Sequence, residues 1–200
     1  TKLGEYMDLC HKHGMTTMLV TNGTLPKVLE KLDTLPTQLY VSVDAPNKQV
    51  FDEVCRPKWG NGAWDQFEKT IDLLPSLDTR IVCRHTMMKG INMSSEHIKQ
   101  FAALDNRADP DWIEAKGYVY VGHSRENLSM ENMPSHEDIL NFSNELAPQV
   151  DRRVLSESRP SRVALIGREI VPIPLPDPEM FFPEDLGIAP PTKKLPLIQN

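Results

Sequence analysis

Apolar residues change between helical and strand spacing along most of the chain. Those of the first 13 positions recur every three or four residues, which predicts an amphipathic helix ended by Gly14. Helical stretches, the last two capped by Ser94 and by Ser135 with Asp138, alternate with short apolar runs. These runs predict strands at 16–21, 38–43, 80–88, 112–121 and 163–166. Such alternation indicates parallel strands with crossover helices, so the predicted class is α/β, either a barrel segment or a doubly wound sheet.

Polar residues share one face of three successive predicted strands. Because side chains alternate along a strand, this face would carry Tyr40, Ser42 and Asp44, then Arg80, Val82, Arg84 and Thr86, then Trp112, Glu114 and Lys116. A strand of a doubly wound sheet is covered by helices on both sides and should be apolar on both. The polar face therefore favours a barrel lumen that holds a ligand. The alternative is a network of salt bridges among Asp44, Arg84, Glu114 and Lys116 without a ligand.

Composition narrows the class of protein. The 200 residues carry a formal net charge of -6, which argues against a protein that coats nucleic acid through bulk positive charge. There is no run of 18 apolar residues and no signal-peptide pattern, so we expect a cytoplasmic protein without a membrane partner. Cys10, Cys55 and Cys83 are widely spaced, which predicts buried thiols rather than disulfides or metal ligands. Because the first helix begins without an initiator Met, we expect the chain to belong to a longer protein.

Proline marks the end of the chain. Nearly half of the 17 prolines follow Gly167, which predicts an extended or disordered tail over residues 168–200. Met180, Phe181 and Phe182 are its main apolar residues and could dock on the domain or on a partner, although a loose terminus is the favoured interpretation.

Several blocks of the sequence resemble the tRNA 4-demethylwyosine synthase family. Early blocks are Val-Thr-Asn-Gly at 20–23, Gln-Leu-Tyr-Val-Ser-Val-Asp-Ala at 38–45 and Cys-Arg-Pro at 55–57. Later blocks lie at 84–92, 114–118 and 122–134. The resemblance extends from residue 1 to about residue 166 and excludes the proline-rich tail.

The resemblance implies a partial (β/α) barrel of radical-SAM type, truncated at its N-terminus. Residues 1–110 would hold the third to fifth strands of that barrel, and residues 111–167 a wyosine-base-formation region that completes it. Members of the family are lyases of wybutosine biosynthesis, a tRNA modification. They condense pyruvate with the N1-methylguanosine next to the anticodon of tRNA-Phe. Their cofactors are S-adenosylmethionine and a 4Fe-4S cluster, which together generate a radical that abstracts hydrogen from the substrate methyl group.

The chain departs from the family pattern in two motifs. Three cysteines spaced Cys-x-x-x-Cys-x-x-Cys hold the cluster in the family, and a Gly-Gly-Glu motif holds the methionine part of the cofactor. Neither motif occurs in this sequence. We therefore expect no metal ligands in this chain and no activity from it alone.

The resemblance also suggests roles for individual residues. The cofactor-binding candidates are Asn22, Ser42, Asp44 and Arg84, of which Asn22 and Asp44 could equally serve only to close turns. Lys116 and Glu114 are the catalytic candidates, with Lys116 either orienting the pyruvate carboxylate or neutralising nearby carboxylates. The tRNA candidates are His123, Ser124 and Arg125, in a stretch that could equally be an ordinary surface loop.

Two other functions compete with the family reading. A Schiff-base lyase of aldolase type would use Lys116 without a metal. A non-catalytic remnant of the barrel would bind tRNA without depending on a cofactor. No DNA partner is expected.

Overall fold

The computed structural model describes residues 2–58 and 62–173. Within these residues the strands are β1 Met18–Thr21, β2 Gln38–Ser42, β3 Arg80–Met87, β4 Trp112–Gly117, β5 Arg153–Ser158 and β6 Val163–Gly167. The α-helices are α1 Leu3–Lys12, α2 Pro26–Glu30, α3 Lys48–Val54, α4 Ala63–Leu73, α5 Ser95–Ala108 and α6 His136–Leu146. The predicted alternation of helices and strands is confirmed.

All six strands form one sheet in the order β1-β2-β3-β4-β6-β5. Strands β1 to β4 are parallel to their neighbours, as the crossover helices predict. β6 runs antiparallel to β4, and β5 runs antiparallel to β6. The hairpin of β5 and β6 thus extends an otherwise parallel sheet.

Two details of the strands differ from the prediction. β5 was not predicted, because its residues are half-buried or exposed and lack a clear apolar alternation. The fourth strand was predicted to reach residue 121 but ends at Gly117. At this point the Gly117 amide donates to the carbonyl of Arg162 at 2.8 Å, and a side chain at Gly117 would lie 3.2 Å from Pro134 and 3.3 Å from Arg162.

The two faces of the sheet differ in chemistry. One face is buried beneath the helices, where Phe67 of α4, Phe101 of α5 and Phe142 of α6 belong to the core. The strand residues that complete this core include Leu39, Val41, Ile81, Cys83, Ile113, Ala115 and Ile166. The opposite face carries the polar residues that the alternation predicted, and we call it the concave face. The predicted caps are also present, since Ser94 accepts from the amide of His97 and Ser135 forms a capping box with Asp138.

Three further expectations can be compared with the structure. Cys10 and Cys83 are buried as predicted, but Cys55 is exposed, so the prediction for Cys55 is wrong. Most of the proline-rich tail, residues 174–200, lies outside the described residues. Among the residues that are described, no helix combines the length and the apolar character that crossing a membrane requires.

Candidate functional site

A cavity of about 740 Å³ opens at the carboxyl ends of β1 and β2. Carboxyl ends of parallel strands are the usual position of ligand sites in α/β proteins, because the loops that follow them converge there. Asn22 directly follows β1, Ser42 ends β2, and Asp44 lies two residues further on. All three line the cavity, so the sheet brings together three of the four predicted cofactor-binding residues.

Asn22 lies in a tight turn between β1 and α2. Its Oδ1 atom accepts from the amide of Thr24 at 3.2 Å and from the Thr24 hydroxyl at 2.8 Å. Gly23 has a φ of +69°, and the buried Thr70 hydroxyl donates to its carbonyl oxygen at 2.6 Å. The Oδ1 atom of Asn22 therefore closes the turn, as one of the two interpretations of this residue predicted.

Asp44 is fixed by the end of β3. Its Oδ1 accepts from the amide of Thr86 at 3.2 Å, and its carbonyl oxygen accepts from Asn92 Nδ2 at 2.9 Å. Burial raises the pKa of the Asp44 carboxyl above its ordinary value, although the hydrogen bonds from Thr86 and the charges of His85 and Arg84 partly offset this effect. The Asp44 carboxyl group is thus fixed in position by hydrogen bonding and poorly hydrated at the cavity wall.

The side chain of Asn92 holds the ends of β2 and β3 together. The sequence did not predict this role. The Asn92 side chain is fully buried and makes three hydrogen bonds, all to main-chain groups. Nδ2 donates to the carbonyls of Asp44 and Thr86, each at 2.9 Å, and Oδ1 accepts from the amide of Met88 at 2.7 Å. The sequence offered one weak indication of this role, an asparagine two positions after a glycine, Gly90, whose φ is positive.

Basic residues line the same cavity, and the sequence did not predict them as site residues. Lys27 of α2 and Arg56 and Lys58 beyond α3 contribute to its wall, so the cavity combines one acid with three bases. The exposed Cys55 lines it too. Loss of hydration, followed by the charges of Asp44 and Asp52, raises the pKa of the Cys55 thiol to about 12. This cavity favours an anionic or zwitterionic ligand by charge and keeps its thiol protonated at neutral pH.

Arg84, the fourth predicted cofactor residue, already has a carboxylate partner. Arg84 and Glu114 are register partners on β3 and β4. Arg84 donates from Nε to Glu114 Oε1 at 2.9 Å and from Nη2 to Oε2 at 3.3 Å. The guanidinium carbon lies 4.6 Å from the centre of the Tyr40 ring. Arg84 and Glu114 therefore form the salt bridge that the alternative interpretation predicted. Any ligand carboxylate that binds Arg84 would have to share it with Glu114.

Lys116 lies two residues after Glu114 on the same face of β4. Its register partners are Thr86 on β3 and Val163 on β6. Within residues 2–58 and 62–173 its ammonium group makes no ion pair and no side-chain hydrogen bond, unlike Arg84. Lys116 is thus a half-buried cation available to a ligand on the concave face.

The segment with the three tRNA candidates forms a short 3-10 helix, Gly122–Glu126. The His123 side chain is fully exposed and lies 3.3 Å from Glu126. Ser124 donates to the carbonyl of Val121 at 2.6 Å and shares a 2.8 Å hydrogen bond with the Tyr118 hydroxyl, so its role in the structure is local. Arg125 stacks on Tyr120, with its guanidinium carbon 5.8 Å from the ring centre.

Residues 2–58 and 62–173 contain no group of three or more His, Cys, Asp and Glu side chains that could hold a metal ion.

Comparison with known proteins identifies the family. The family model for wyosine base formation matches residues 107–168. The S-adenosyl-L-methionine-dependent tRNA 4-demethylwyosine synthase of Pyrococcus horikoshii is 42% identical over 173 residues, which are 84% of this chain and 50% of the relative. The chain thus spans about half the length of this relative and of the relative from Methanocaldococcus jannaschii.

Solved structures agree with this match. A structure described as TYW1 with a lysine-pyruvate adduct bound has a TM-score of 0.73 and 34% identity, over 84% of this chain and 52% of that chain. Coproporphyrinogen III oxidase from Escherichia coli, described as a radical SAM enzyme, has a TM-score of 0.52 and 14% identity, over 84% of this chain and 39% of that chain. The latter match shows the fold alone, which is the expected partial barrel of radical-SAM type. By sequence and by structure, the chain belongs to the tRNA 4-demethylwyosine synthase family.

Proposed function

We propose that this chain supplies part of the substrate and cofactor site of an S-adenosylmethionine-dependent tRNA 4-demethylwyosine synthase. The complete reaction would condense pyruvate with N1-methylguanosine next to the anticodon of tRNA-Phe, as the resemblance implies. The observation that carries the proposal is the concave face, where Lys116, which has no ion pair within residues 2–58 and 62–173, lies next to the Arg84–Glu114 pair. Support also comes from the name of the Pyrococcus horikoshii relative, of which this chain covers 50%.

Asp44 and Ser42 make part of the cavity suitable for S-adenosylmethionine. This cofactor carries a carboxylate, an amino group, a ribose and a positively charged sulfonium, so it needs hydrogen-bond acceptors and a nearby anion as well as one cationic group. Asp44 and Ser42 would accept from the ribose hydroxyls or the amino group, and a basic residue such as Arg56 would meet the carboxylate. When bound together with a 4Fe-4S cluster, the cofactor supplies the radical chemistry of the reaction. The residues of this chain would orient it and exclude water.

Lys116 is our candidate for the pyruvate site. A cation on the concave face would attract the pyruvate carboxylate. Glu114 already pairs with Arg84, and Lys116 has no competing ion pair among the residues that the structure describes. A lysine-pyruvate adduct is bound in the related TYW1 structure. For Lys116 we propose the orienting role.

The tRNA contact would come from two features. Lys27 and Lys58 at the cavity would meet phosphates, and the Arg125–Tyr120 stack would offer a surface for an unstacked base. His123 is fully exposed and could join this surface, whereas Ser124 would support it by holding the 3-10 helix. The acidic net charge requires that any tRNA contact be local.

The proposal is tested with Lys116→Met in the full-length enzyme of which we propose this chain to be part. Methionine removes the charge and keeps most of the side-chain volume. We expect loss of the 4-demethylwyosine product, measured on tRNA-Phe by mass spectrometry, while the cluster spectrum and cofactor binding stay unchanged. Lys99→Met is the matched control, because Lys99 is an exposed helix residue whose one ion pair among the described residues is with Glu96. Product at the parent rate would show that Lys116 is structural.

Borohydride reduction with pyruvate separates the orienting role from the Schiff-base role. If Lys116 only orients the substrate, peptide mapping should find no pyruvate adduct on it. An adduct on Lys116 that forms without S-adenosylmethionine would instead favour the aldolase-type lyase.

A further inference from the structure

Three neighbouring strands hold one guanidinium group on the concave face. Arg84 of β3 forms two hydrogen bonds with the carboxylate of Glu114 on β4. Its guanidinium carbon also lies 4.6 Å from the centre of the Tyr40 ring on β2. The side chain of Glu114 is only 13% exposed. A carboxylate that is so poorly hydrated requires a cationic partner, because leaving it unpaired is costly.

A second cation lies within reach of the same carboxylate. Lys116 follows Glu114 by two residues on the same face of β4, so the rise of a strand places their Cα atoms about 6.6 Å apart. Two long side chains can span that separation. Nevertheless, Lys116 makes no ion pair within residues 2–58 and 62–173, whereas Glu114 pairs with Arg84. The planar guanidinium explains this preference, because it matches both carboxylate oxygens and an ammonium group cannot.

Tyr40 is suited to hold Arg84 in this position. The face of an aromatic ring attracts a guanidinium group. Burial, followed by the negative charge of Glu114, raises the pKa of the Tyr40 hydroxyl above its ordinary value, although the charge of Arg84 partly opposes this effect. The ring therefore stays neutral at pH 8 and does not compete with Glu114 as an anion.

The other neighbours of Lys116 differ in charge. Its register partners, Thr86 on β3 and Val163 on β6, are uncharged. Asp44 lies beyond Thr86 and accepts from the Thr86 amide at 3.2 Å. Asp44 is therefore a second acid on this side of Lys116, and it stays unchanged in every variant that is compared below.

We propose that Arg84 and Tyr40 are positioning residues that keep Glu114 from pairing with Lys116. Arg84 occupies both oxygens of the carboxylate, and Tyr40 holds the guanidinium in that place. The ammonium group of Lys116 then remains available to the carboxylate of a ligand. The identity of that ligand as pyruvate rests on the proposed function, whereas the arrangement of charges can be measured on this chain alone.

Amine labelling of the 200-residue chain at pH 8 tests the proposal. An N-hydroxysuccinimide ester of acetate reacts with the unprotonated amine, so labelling slows when a carboxylate stabilises the ammonium form. Peptide mapping gives the rate at Lys116 relative to the exposed Lys99 in the same sample. Arg84→Met should slow the labelling of Lys116 at least about threefold, because the change frees Glu114 to pair with it.

Two further variants separate this effect from other causes. Arg84→Met combined with Glu114→Gln should restore the parent rate, since no carboxylate is left to pair with Lys116. Arg107→Met is the control and should leave the rate unchanged, because Arg107 is an exposed arginine whose carboxylate partners lie on α4. Parent-rate labelling in Arg84→Met would overturn the proposal. Slowing that persists in the double variant would also overturn it, because the cause would then be the lost charge of Arg84 itself.

A pair of Tyr40 variants decides the matter if Arg84→Met does not fold. Tyr40→Leu removes the ring and should slow the labelling of Lys116, whereas Tyr40→Phe keeps the ring face and should label at the parent rate. Both variants leave the charges of Arg84, Glu114 and Lys116 in place. Equal rates in the two variants would refute the positioning role and leave the proposed function intact. Product formation by Lys116→Met would instead refute the proposed function without affecting this result.

Discussion

Replacing Asn92 with alanine should destabilise the protein more than any exposed asparagine change. The side chain is fully buried and joins the end of β2 to the end of β3 through the main-chain atoms of Asp44, Thr86 and Met88. Alanine would remove all three hydrogen bonds. A typical net contribution of about 1 kcal/mol for each bond gives a loss of about 3 kcal/mol. Because domains are stable by about 5–15 kcal/mol, the variant should still fold.

The assay is urea unfolding monitored by circular dichroism, which gives the free energy of unfolding and its dependence on denaturant. Asn106→Ala is the matched control, because the Asn106 side chain is exposed and makes one bond, from Nδ2 to the carbonyl of Gln149 at 3.1 Å. We expect that change to cost less than about 1 kcal/mol. A cost below about 1 kcal/mol for Asn92→Ala, with an unchanged denaturant dependence, would refute the reasoning.

Asn92→Asp sharpens this test. The substitution keeps the shape but replaces the donor Nδ2 with an oxygen that faces the carbonyl oxygens of Asp44 and Thr86. The variant should therefore be less stable than Asn92→Ala at pH 8, where the new carboxyl is ionised, and should recover in part at low pH, where it can donate. Equal stability of the two variants at pH 8 would show that the two carbonyls do not require a donor.

Two further predictions concern titratable groups at the cavity. Because the pKa of Asp44 is raised, the folded state holds its proton more tightly than the unfolded state, so stability should fall as pH rises from the ordinary Asp pKa through the raised one. Asp44→Asn should remove that slope and increase the unfolding free energy at pH 7, and a slope that persists in thermal melts of the variant would contradict the assignment. Cys55 is exposed but has a pKa of about 12 against an ordinary 9.0, so iodoacetamide at pH 8 should label it roughly 30-fold more slowly than a peptide of residues 50–58. Labelling within about threefold of the peptide rate would be inconsistent with that pKa.

The sequence by itself determined the class of the fold and much of the site's location. Alternation along β3 and β4 placed Arg84, Glu114 and Lys116 on one face, because the period of a strand is fixed by its backbone. The predicted caps at Ser94 and Ser135 followed from local chemistry in the same way. The resemblance then supplied the family, which the comparisons confirm. The roles of the individual site residues stay predictions.

Only the tertiary structure decided how these side chains are paired. Sequence alternation could not show that Glu114 binds Arg84 whereas Lys116 makes no ion pair within the described residues, because pairing depends on the register between strands. It also missed Asn92 and the β5 strand, since a buried asparagine and a polar edge strand carry no distinctive periodicity. Cys55 was predicted to be buried and instead lines the cavity, because the fold around the end of α3 opens a space there that local apolar residues do not predict. Periodicity is a property of one segment, whereas pairing, burial and cavities depend on how distant segments meet.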